Sequence, residues 1–369
     1  MQSQTKRAGP LSGLKVLEFA GIGPAPFCAM LLADMGADIV RIDRPGADYD
    51  GPADITGRGK RSIILDLKSD AGRNTALTLI AKADALLEGF RPGIMEKLGL
   101  GPEPALAANP ALVYGRMTGW GQYGPLAQAA GHDINYIAIT GALFAIGEAD
   151  RPPPPPLNLL GDYGGGALYL AFGVLAALHH ARSSGVGQVV DCAIVDGVAS
   201  LMAPIHWLRQ SGRWDAAHRQ ANILDGGAFF YGSYACADGK FFTIGAIEPQ
   251  FYELLREKLE LTGAQWDNPY DAARWTDLRQ QLAAIFARKP RAHWCTVLEG
   301  SDACAAGVLD MVEAADHPHN RARRTIVEID GIMQPAPAPR FSQTPGAIAG
   351  APPHPGKDGD AVRKDWGVT

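Results

Sequence analysis

The 369-residue sequence lacks the features that mark several classes of protein. Its five cysteines are scattered, odd in number and nowhere spaced as CxxC, which argues against a zinc site or a disulfide framework and favours reduced thiols. Lys and Arg total 34 against 39 Asp and Glu, so the net charge of -5 offers no excess positive charge to a nucleic acid. The pairs His179-His180 and His317/His319 have no acidic cluster at metal-ligand spacing. We therefore expect no metal ion and no nucleic-acid partner.

Targeting signals are also missing from the printed termini. The stretch "MQSQTKRAGPLSG" has no apolar core of a secretory signal, and "DWGVT" is not a peroxisomal tripeptide. No apolar run in the sequence reaches the length that a bilayer requires. These observations predict a cytoplasmic protein with no membrane span.

The first third of the chain alternates strand and helix patterns. A helical stretch after the first strand ends at Gly36, and a second begins after Ser69, a residue type preferred as an N-cap. The predicted strands are "LKVLEFA", "ADIVRID", "RSIILDL", "ALLEGF", "ALVYGRM" and, beyond a long apolar helix, "GQVVDCAIV". Strands and helices that alternate in this way predict an α/β fold with a doubly wound, mainly parallel sheet.

The pattern changes after residue 220. "FFYGSYACADGKFFTIGA" predicts a hairpin that turns at Asp238-Gly239, and two helical stretches follow it. We predict a large domain over 1-205 that is completed by 325-369, a smaller α+β domain over 222-320, and linkers at 206-221 and 321-324. "RTIVEID" has no obvious hairpin partner nearby, so we expect it to pack on the large domain. The pentaproline is a stiff extended connector.

A glycine-containing turn, "EFAGIGPAPF", follows the first strand and imitates a dinucleotide-binding fingerprint. The imitation fails because Pro24 and Pro26 remove two N–H donors, and Pro26 stands where the third glycine is needed. Gly21 and Gly23 mark a tight turn that admits some other group closely. The sequence therefore predicts a Rossmann-like topology that binds no NAD.

Cationic residues recur in turns next to the predicted strands. We expect them at one edge of the sheet, where open α/β sheets bind ligands. Each one alone is more often a solvated surface charge, but together they suit a ligand that carries several phosphates. The set comprises Arg44, Lys60, Arg61, Lys68, Arg91 and Lys97.

Three titratable residues have both an ordinary and a catalytic interpretation. His132 and Asp133 open an apolar run, as a helix cap does, and they could equally place a base beside a pocket. Asp162 precedes a glycine-rich helix start, where a cap is common and where free N–H groups could meet an oxyanion. Glu248 precedes Pro249, as acidic residues of a first helical turn often do. The residues alone leave these alternatives open.

Several long segments of the chain decide between these alternatives, because they follow one another in the same order as in a known family. The chain resembles the racemase branch of the family III CoA-transferase superfamily, from the first strand to beyond Tyr252, and the resemblance thins in the tail. It implies a Rossmann-like large domain built from both chain ends, a small domain between them, and an interlocked homodimer with a shared active site. The segments are "GPAPFCAMLLADMGADIVRIDRPG", "RGKRSIILDLK", "AGHDINY", "PLNLLGDYGGG", "GVGQVVDC", "NILDGG" and "GAIEPQFYELL".

The resemblance also implies site residues. His132 and Asp162 would face the substrate α-carbon from opposite sides, and Glu248, contributed by the other subunit, would partner His132. No cofactor is implied beyond the CoA moiety of the substrate. The implied CoA contacts are Arg44, Leu65, Asp66, Leu67, Lys68, Gly89, Phe90, Arg91, Lys97, Gly131, Asp133, Ile134, Asn135 and Tyr136.

Two reactions fit these residues. The first is racemisation or epimerisation of a 2-methylacyl-CoA thioester by two-base proton transfer through an enolate. The second is CoA transfer, with Asp162 as a nucleophile that forms an aspartyl-CoA anhydride. His132 and Glu248 favour racemisation because a transferase needs no second base. Phe229 replaces a proline usual in that family near the expected acyl chain, so branched fatty, steroid side-chain and 2-arylpropionyl thioesters all remain possible.

Overall fold

Strands and helices alternate through the first half of the chain in the computed structural model, which describes residues 8–368. The strands in chain order are β1 Lys15–Phe19, β2 Asp38–Asp43, β3 Arg61–Ile64, β4 Ala85–Glu88, β5 Val113–Thr118, β6 Gln188–Ala193, β7 Tyr231–Ala235, β8 Phe241–Gly245, β9 Ala305–Val308, β10 Ile326–Ile329 and β11 Ile332–Pro335.

The α-helices in chain order are α1 Pro24–Asp34, α2 Asp70–Ile80, α3 Ile94–Lys97, α4 Pro102–Ala108, α5 Asp133–Ala138, α6 Leu168–Ser184, α7 Ile194–Leu201, α8 Ala203–Gln210, α9 Pro249–Lys258, α10 Trp275–Phe286, α11 Arg291–Leu298, α12 Met311–Asp316, α13 Pro318–Arg323 and α14 Gly359–Trp366. A π-helix, Leu159–Ala167, directly precedes α6.

Six parallel strands form the sheet of the first unit, in the order β3-β2-β1-β4-β5-β6. This is the strand order of doubly wound dinucleotide-binding folds, with its switch point between β1 and β4. The predicted parallel α/β sheet is therefore confirmed. The unit consists of Pro156–Met202, Arg324–Thr369 and Met1–Thr140, as far as these ranges are described.

Local chemistry accounts for the element boundaries that the sequence predicted. The Ser69 hydroxyl accepts a hydrogen bond from the Gly72 N–H at 3.1 Å and caps α2. α6 ends at Gly185, whose φ of 73° lies in the left-handed region that glycine tolerates. The core between sheet and helices includes the fully buried Leu86 and Tyr114, and α14 adds Trp366 to it.

The C-terminal segment belongs to the first unit. Arg58 holds it by donating to Gln334 Oε1 at 2.9 Å and to the Pro335 carbonyl at 2.8 Å. The segment "RTIVEID" was expected to lack a local hairpin partner, and this was wrong. β10 pairs with the neighbouring β11 in antiparallel register across Asp330-Gly331, a dipeptide that favours tight hairpin turns.

The second unit comprises Gly141–Pro155 and Ala203–Arg323. Its antiparallel sheet has the order β7-β8-β9, and the predicted hairpin turns at Gly239, which has a φ of 73°. Phe229 is fully buried in an aromatic core, 6.0 Å from Tyr252 and 5.8 Å from Trp266 between ring centroids. Its ring thus packs into that core, and the expectation that it lies near the acyl chain stays a prediction.

One helical stretch qualifies the expected absence of a membrane span. The π-helix and α6 together run 26 residues, Leu159–Ser184, and an 18-residue window within them has a mean hydropathy of 1.3, which is long and apolar enough to cross a bilayer. The sequence statement that no run reaches that length was therefore too strong. Core helices of globular proteins pass the same test, and α6 packs against β5 and β6, so this single helix is weak evidence for a span.

Candidate active site

Two clefts lie at the carboxyl edge of the six-stranded sheet. The first cleft, of about 830 Å³, is bordered by the segments that follow β1, β2 and β3. The second cleft, of about 390 Å³, lies between the segments that follow β4 and β5. Phe90, just after β4, lines both. Open α/β sheets bind ligands at this edge, beside the switch point.

Most of the residues implied as CoA contacts line one of these clefts. In the first cleft they are Arg44, Leu65, Asp66, Leu67, Lys68 and Phe90. In the second cleft they are Gly89, Phe90, Arg91, Gly131, Asn135 and Tyr136, together with His132. Lys97, Asp133 and Ile134 border neither cleft.

Lys60 and Arg61 were wrongly expected at this edge. They come immediately before and at the start of β3, so they lie at the amino edge of the parallel sheet. Lys60 is buried, and its Nζ lies 2.9 Å from Glu18 Oε1. Arg61 forms an ion pair with Asp365 at 2.9 Å. Both cations are structural: the buried ammonium of Lys60 needs its carboxylate partner, and the Arg61 guanidinium is held by Asp38 and Asp365.

His132 stands at the N-cap of α5, with its side chain exposed beside the second cleft. Its N–H donates to Asn135 Oδ1 at 3.0 Å. The preceding Gly131 carbonyl accepts a hydrogen bond from the Tyr136 hydroxyl. The Tyr136 ring packs edge-on against Trp120, with 4.7 Å between the ring centroids. The cap interpretation and the pocket interpretation are therefore compatible, since backbone capping leaves the imidazole at the cleft.

Asp133 makes a contact that the sequence did not predict. Its side chain is buried, and its Oδ2 accepts a hydrogen bond from the Asp162 N–H at 2.6 Å. Among the described residues, its Oδ1 has no hydrogen-bond partner. A Cβ at Gly161 would collide with this carboxylate, so glycine is required there. Asp133 therefore ties the segment of His132 to that of Asp162, and its expected contact with CoA stays a prediction.

Asp162 lies within the π-helix, four residues after its N-cap Asn158, and not before a helix start. The cap interpretation of Asp162 is thus wrong. Its own N–H, which donates to Asp133, is also unavailable to an oxyanion. Short π-helical segments occur frequently at functional sites, because they break the regular α-helical bonding pattern.

The electrostatic surroundings of Asp162 set its protonation. Partial burial and then the negative charge of Asp133 raise the pKa of this carboxyl, while a hydrogen bond from Asn158 and the nearby His132 imidazole oppose the rise. His132 directly precedes Asp133, whose carboxylate accepts the Asp162 N–H, so the three residues are neighbours. A Cβ at Gly23 would lie 3.7 Å from Asp162 Oδ2, so the tight turn after β1 admits this carboxylate.

A glycine contact between two helices fixes the π-helix. A Cβ at Gly197 of α7 would collide with the Gly165 carbonyl, and one at Gly165 would lie 2.8 Å from the Val198 nitrogen. The backbones therefore touch, with no side chain between them. The glycine-rich sequence around Asp162 serves this close crossing, which sequence analysis did not identify.

Glu248 belongs to the second unit, where it is the exposed N-cap of α9. It helps to raise the pKa of the Cys304 thiol, after burial as the main cause. Glu248 lines neither of the two clefts of the first unit. Among residues 8–368, no group of three or more His, Cys, Asp and Glu side chains is placed to hold a metal ion.

Comparison with known proteins identifies the family. The model of CoA-transferase family III matches residues 11–359. The α-methylacyl-CoA racemase of Mus musculus is 44% identical over 97% of this chain and 94% of its own length. The α-methylacyl-CoA racemase of Homo sapiens is 45% identical over 91% of this chain and 87% of its own length.

A solved structure agrees with this assignment. The crystal structure of a CAIB/BAIF family protein from Brucella suis aligns with a TM-score of 0.84 at 26% identity, and covers 98% of this chain and all of that one. Sequence and fold relationships thus extend over nearly the whole chain. The chain belongs to CoA-transferase family III.

Proposed function

We propose that this protein is an isomerase that racemises or epimerises 2-methylacyl-CoA thioesters at the α-carbon. The observation that carries the proposal is the cluster of His132 and the half-buried Asp162 at the carboxyl edge of the sheet, joined through Asp133. The relatives named α-methylacyl-CoA racemase, at 44% and 45% identity, support the same reaction.

Racemisation at carbon needs two groups because the proton leaves one face and returns to the other. The α C–H of a thioester is a very weak acid, and positioned proton transfer contributes about 10²–10⁴-fold. His132 and Asp162 would take the two roles and exchange them with the configuration of the substrate. Much of the remaining barrier then falls to stabilisation of the enolate oxygen by nearby donors.

The CoA moiety fits the first cleft. Arg44 and Lys68 stand at its border and offer a bidentate and a point-charge cation to phosphate oxygens. Phe90 connects this cleft to the second one, where Arg91 and His132 lie. A pantetheine arm that passes Phe90 would bring the thioester from the phosphate-binding residues towards His132.

The proposal also includes an interlocked homodimer, in which Glu248 of one subunit acts on His132 of the other. The first unit exposes an apolar stripe on α6, with Leu168, Phe172 and Leu175 at 52%, 73% and 39% exposure, at helical spacing. Exposed apolar patches of this kind mark protein interfaces. A second copy that covers the stripe would let the partner's Glu248 orient His132 and stabilise its protonated form, as the acidic member of a hydrolase triad does.

Incubation of (R)- and (S)-2-methylacyl-CoA with the enzyme in deuterated water tests this function. Racemisation puts deuterium at the α-carbon and erases optical purity from either enantiomer. The family also contains CoA-transferases, in which Asp162 would instead attack the thioester. Transfer of CoA to an added carboxylate without α-deuteration would refute the racemase assignment and support that alternative.

A further inference from the structure

An ion triad with two buried members and one partly exposed member lies next to the turn after β4, and none of its three side chains lines either cleft. Arg116 in β5 donates through Nε to Glu88 Oε1 at 2.8 Å, and through both Nη atoms to the Glu96 carboxylate at 2.8 and 3.2 Å. Glu88 and Arg116 are buried, whereas the Glu96 side chain is 45% exposed. Arg116 thus bridges a buried carboxylate in β4 to one on α3.

The second oxygen of Glu88 reaches the turn that follows β4. Glu88 Oε2 accepts a hydrogen bond from the Phe90 N–H at 2.8 Å. Burial raises the pKa of Glu88, and the hydrogen bonds from Arg116 and the Phe90 N–H oppose the rise. Because both oxygens of Glu88 are occupied, the turn over Gly89, Phe90 and Arg91 is fixed relative to Arg116.

The other end of the triad holds α3. This helix has only four residues, Ile94–Lys97, so its own backbone hydrogen bonds hold it weakly. Two contacts anchor it, the fully buried Met95 and the bidentate pair of Glu96 with Arg116. Lys97 is the next residue, an exposed cation that borders neither cleft itself but directly precedes Leu98, which lines the first cleft.

We propose that Glu88, Arg116 and Glu96 act as positioning residues for CoA. They hold the turn of Arg91, which lines the second cleft, and the helix of Lys97, which leads into Leu98 of the first cleft, so that both cations can join Arg44 and Lys68 around the phosphates. The inference rests on the proposed function, because it assumes CoA in the clefts at the carboxyl edge. The two cations come from different elements, and the triad joins those elements through one guanidinium. Cations that are fixed before binding lose less conformational entropy when the phosphates arrive.

Glu96→Ala is the decisive variant, because Glu96 is partly exposed and its loss leaves the buried Glu88–Arg116 pair in place. Removing a negative charge near a polyanion would, by charge alone, tighten CoA binding. Loss of positioning acts in the opposite direction and raises the Kd of CoA about threefold to tenfold, as expected for an unrestrained side chain. Glu103→Ala, at an exposed carboxylate of α4, is the charge-matched control.

Calorimetric titration with CoA and steady-state kinetics give the readouts. For Glu96→Ala we expect a higher Kd for CoA and a higher KM for acyl-CoA with kcat unchanged, because the triad touches no reacting atom. A pantetheine thioester lacks the nucleotide phosphates, so Glu96→Ala should turn it over at the same rate as the wild type does. Glu88→Gln should weaken CoA binding further, although a lower Tm is also expected for this buried site.

The outcomes separate the two claims. CoA binding by Glu96→Ala that equals or exceeds that of the wild type would overturn the positioning role and leave the proposed function intact. An equal loss in Glu103→Ala, or with the pantetheine thioester, would also overturn it. Failure of the wild-type protein to bind CoA would instead overturn the proposed function.

Discussion

Replacing Asp133 by alanine should damage both stability and catalysis. The substitution removes the carboxylate that accepts the Asp162 N–H at 2.6 Å and leaves that N–H without its partner. An unsatisfied donor in this position costs about 1–3 kcal/mol, and we expect a loss of this size in the free energy of unfolding in urea. Because a shift of about 1 Å in a reacting group can cost about 10²-fold, kcat for α-proton exchange should fall by that order.

Asp133→Asn separates the hydrogen bond from the charge. The amide oxygen still accepts the Asp162 N–H, so stability should fall less than in the alanine variant. The lost negative charge no longer raises the pKa of Asp162. Asp162 must be ionised to accept a proton, and a lower pKa keeps it ionised at lower pH. For the enantiomer from which Asp162 removes the proton, the acidic limb of the kcat profile should therefore move to lower pH.

A matched control and two outcomes decide this prediction. Asp191→Asn removes the same charge from a carboxylate that accepts the Gln122 N–H at 3.3 Å. Asp191 takes no part in the Asp133–Asp162 hydrogen bond, so this variant should leave the acidic limb of the kcat profile unchanged. An acidic limb that stays in place or rises in Asp133→Asn would refute the electrostatic argument. Wild-type stability in Asp133→Ala would refute the structural one.

Three further variants probe the fold and the CoA site. Lys60→Ala leaves the buried Glu18 carboxylate unpaired and should lower the free energy of unfolding by about 3–5 kcal/mol in urea titration. Gly197→Ala sets a methyl group against the Gly165 carbonyl, so unfolding should be easier by about 1–3 kcal/mol, with a parallel fall in exchange rate. Arg44→Ala should raise the Kd of CoA and weaken its dependence on salt, as measured by titration at two ionic strengths.

The parallel sheet could be predicted because its signal is local. Strands buried on both faces read as nearly continuous apolar runs, and β4 is an example, with Ala85, Leu86 and Leu87 fully buried. The turn residues between strands and helices fixed the boundaries, as Ser69 and Gly185 do at α2 and α6. Once β2 and β3 were located, Arg44 and Lys68 could be assigned to the carboxyl edge.

The errors involve partners that are distant in sequence. Lys60 has the appearance of a surface cation until Glu18, 42 residues away, is placed beside it. Asp133 has the sequence signature of a helix cap, and its actual partner Asp162 lies 29 residues along the chain. Neither pairing leaves a pattern in the nearby sequence, because each depends on how the sheet brings its connections together.

The π-helix has a similar explanation. The sequence predicted a helix start at the glycines after Asp162. In the structure, Gly165 instead lets the backbone of α7 approach the π-helix closely. Sequence analysis could have found one missed element from a local signal. Asp330-Gly331 between two short apolar runs is a hairpin signature, and it would have identified β11 as the partner of β10.

The central claim is that one imidazole and one carboxylate serve opposite faces of the same carbon. It is tested most directly by measuring inversion of each 2-methylacyl-CoA enantiomer in deuterated water by the wild type, His132→Ala and Asp162→Ala, with CoA affinity determined in parallel. We expect the wild type to deuterate and invert both enantiomers, and each variant to invert neither while it binds CoA as tightly as before. Near-normal inversion by either variant would contradict the account.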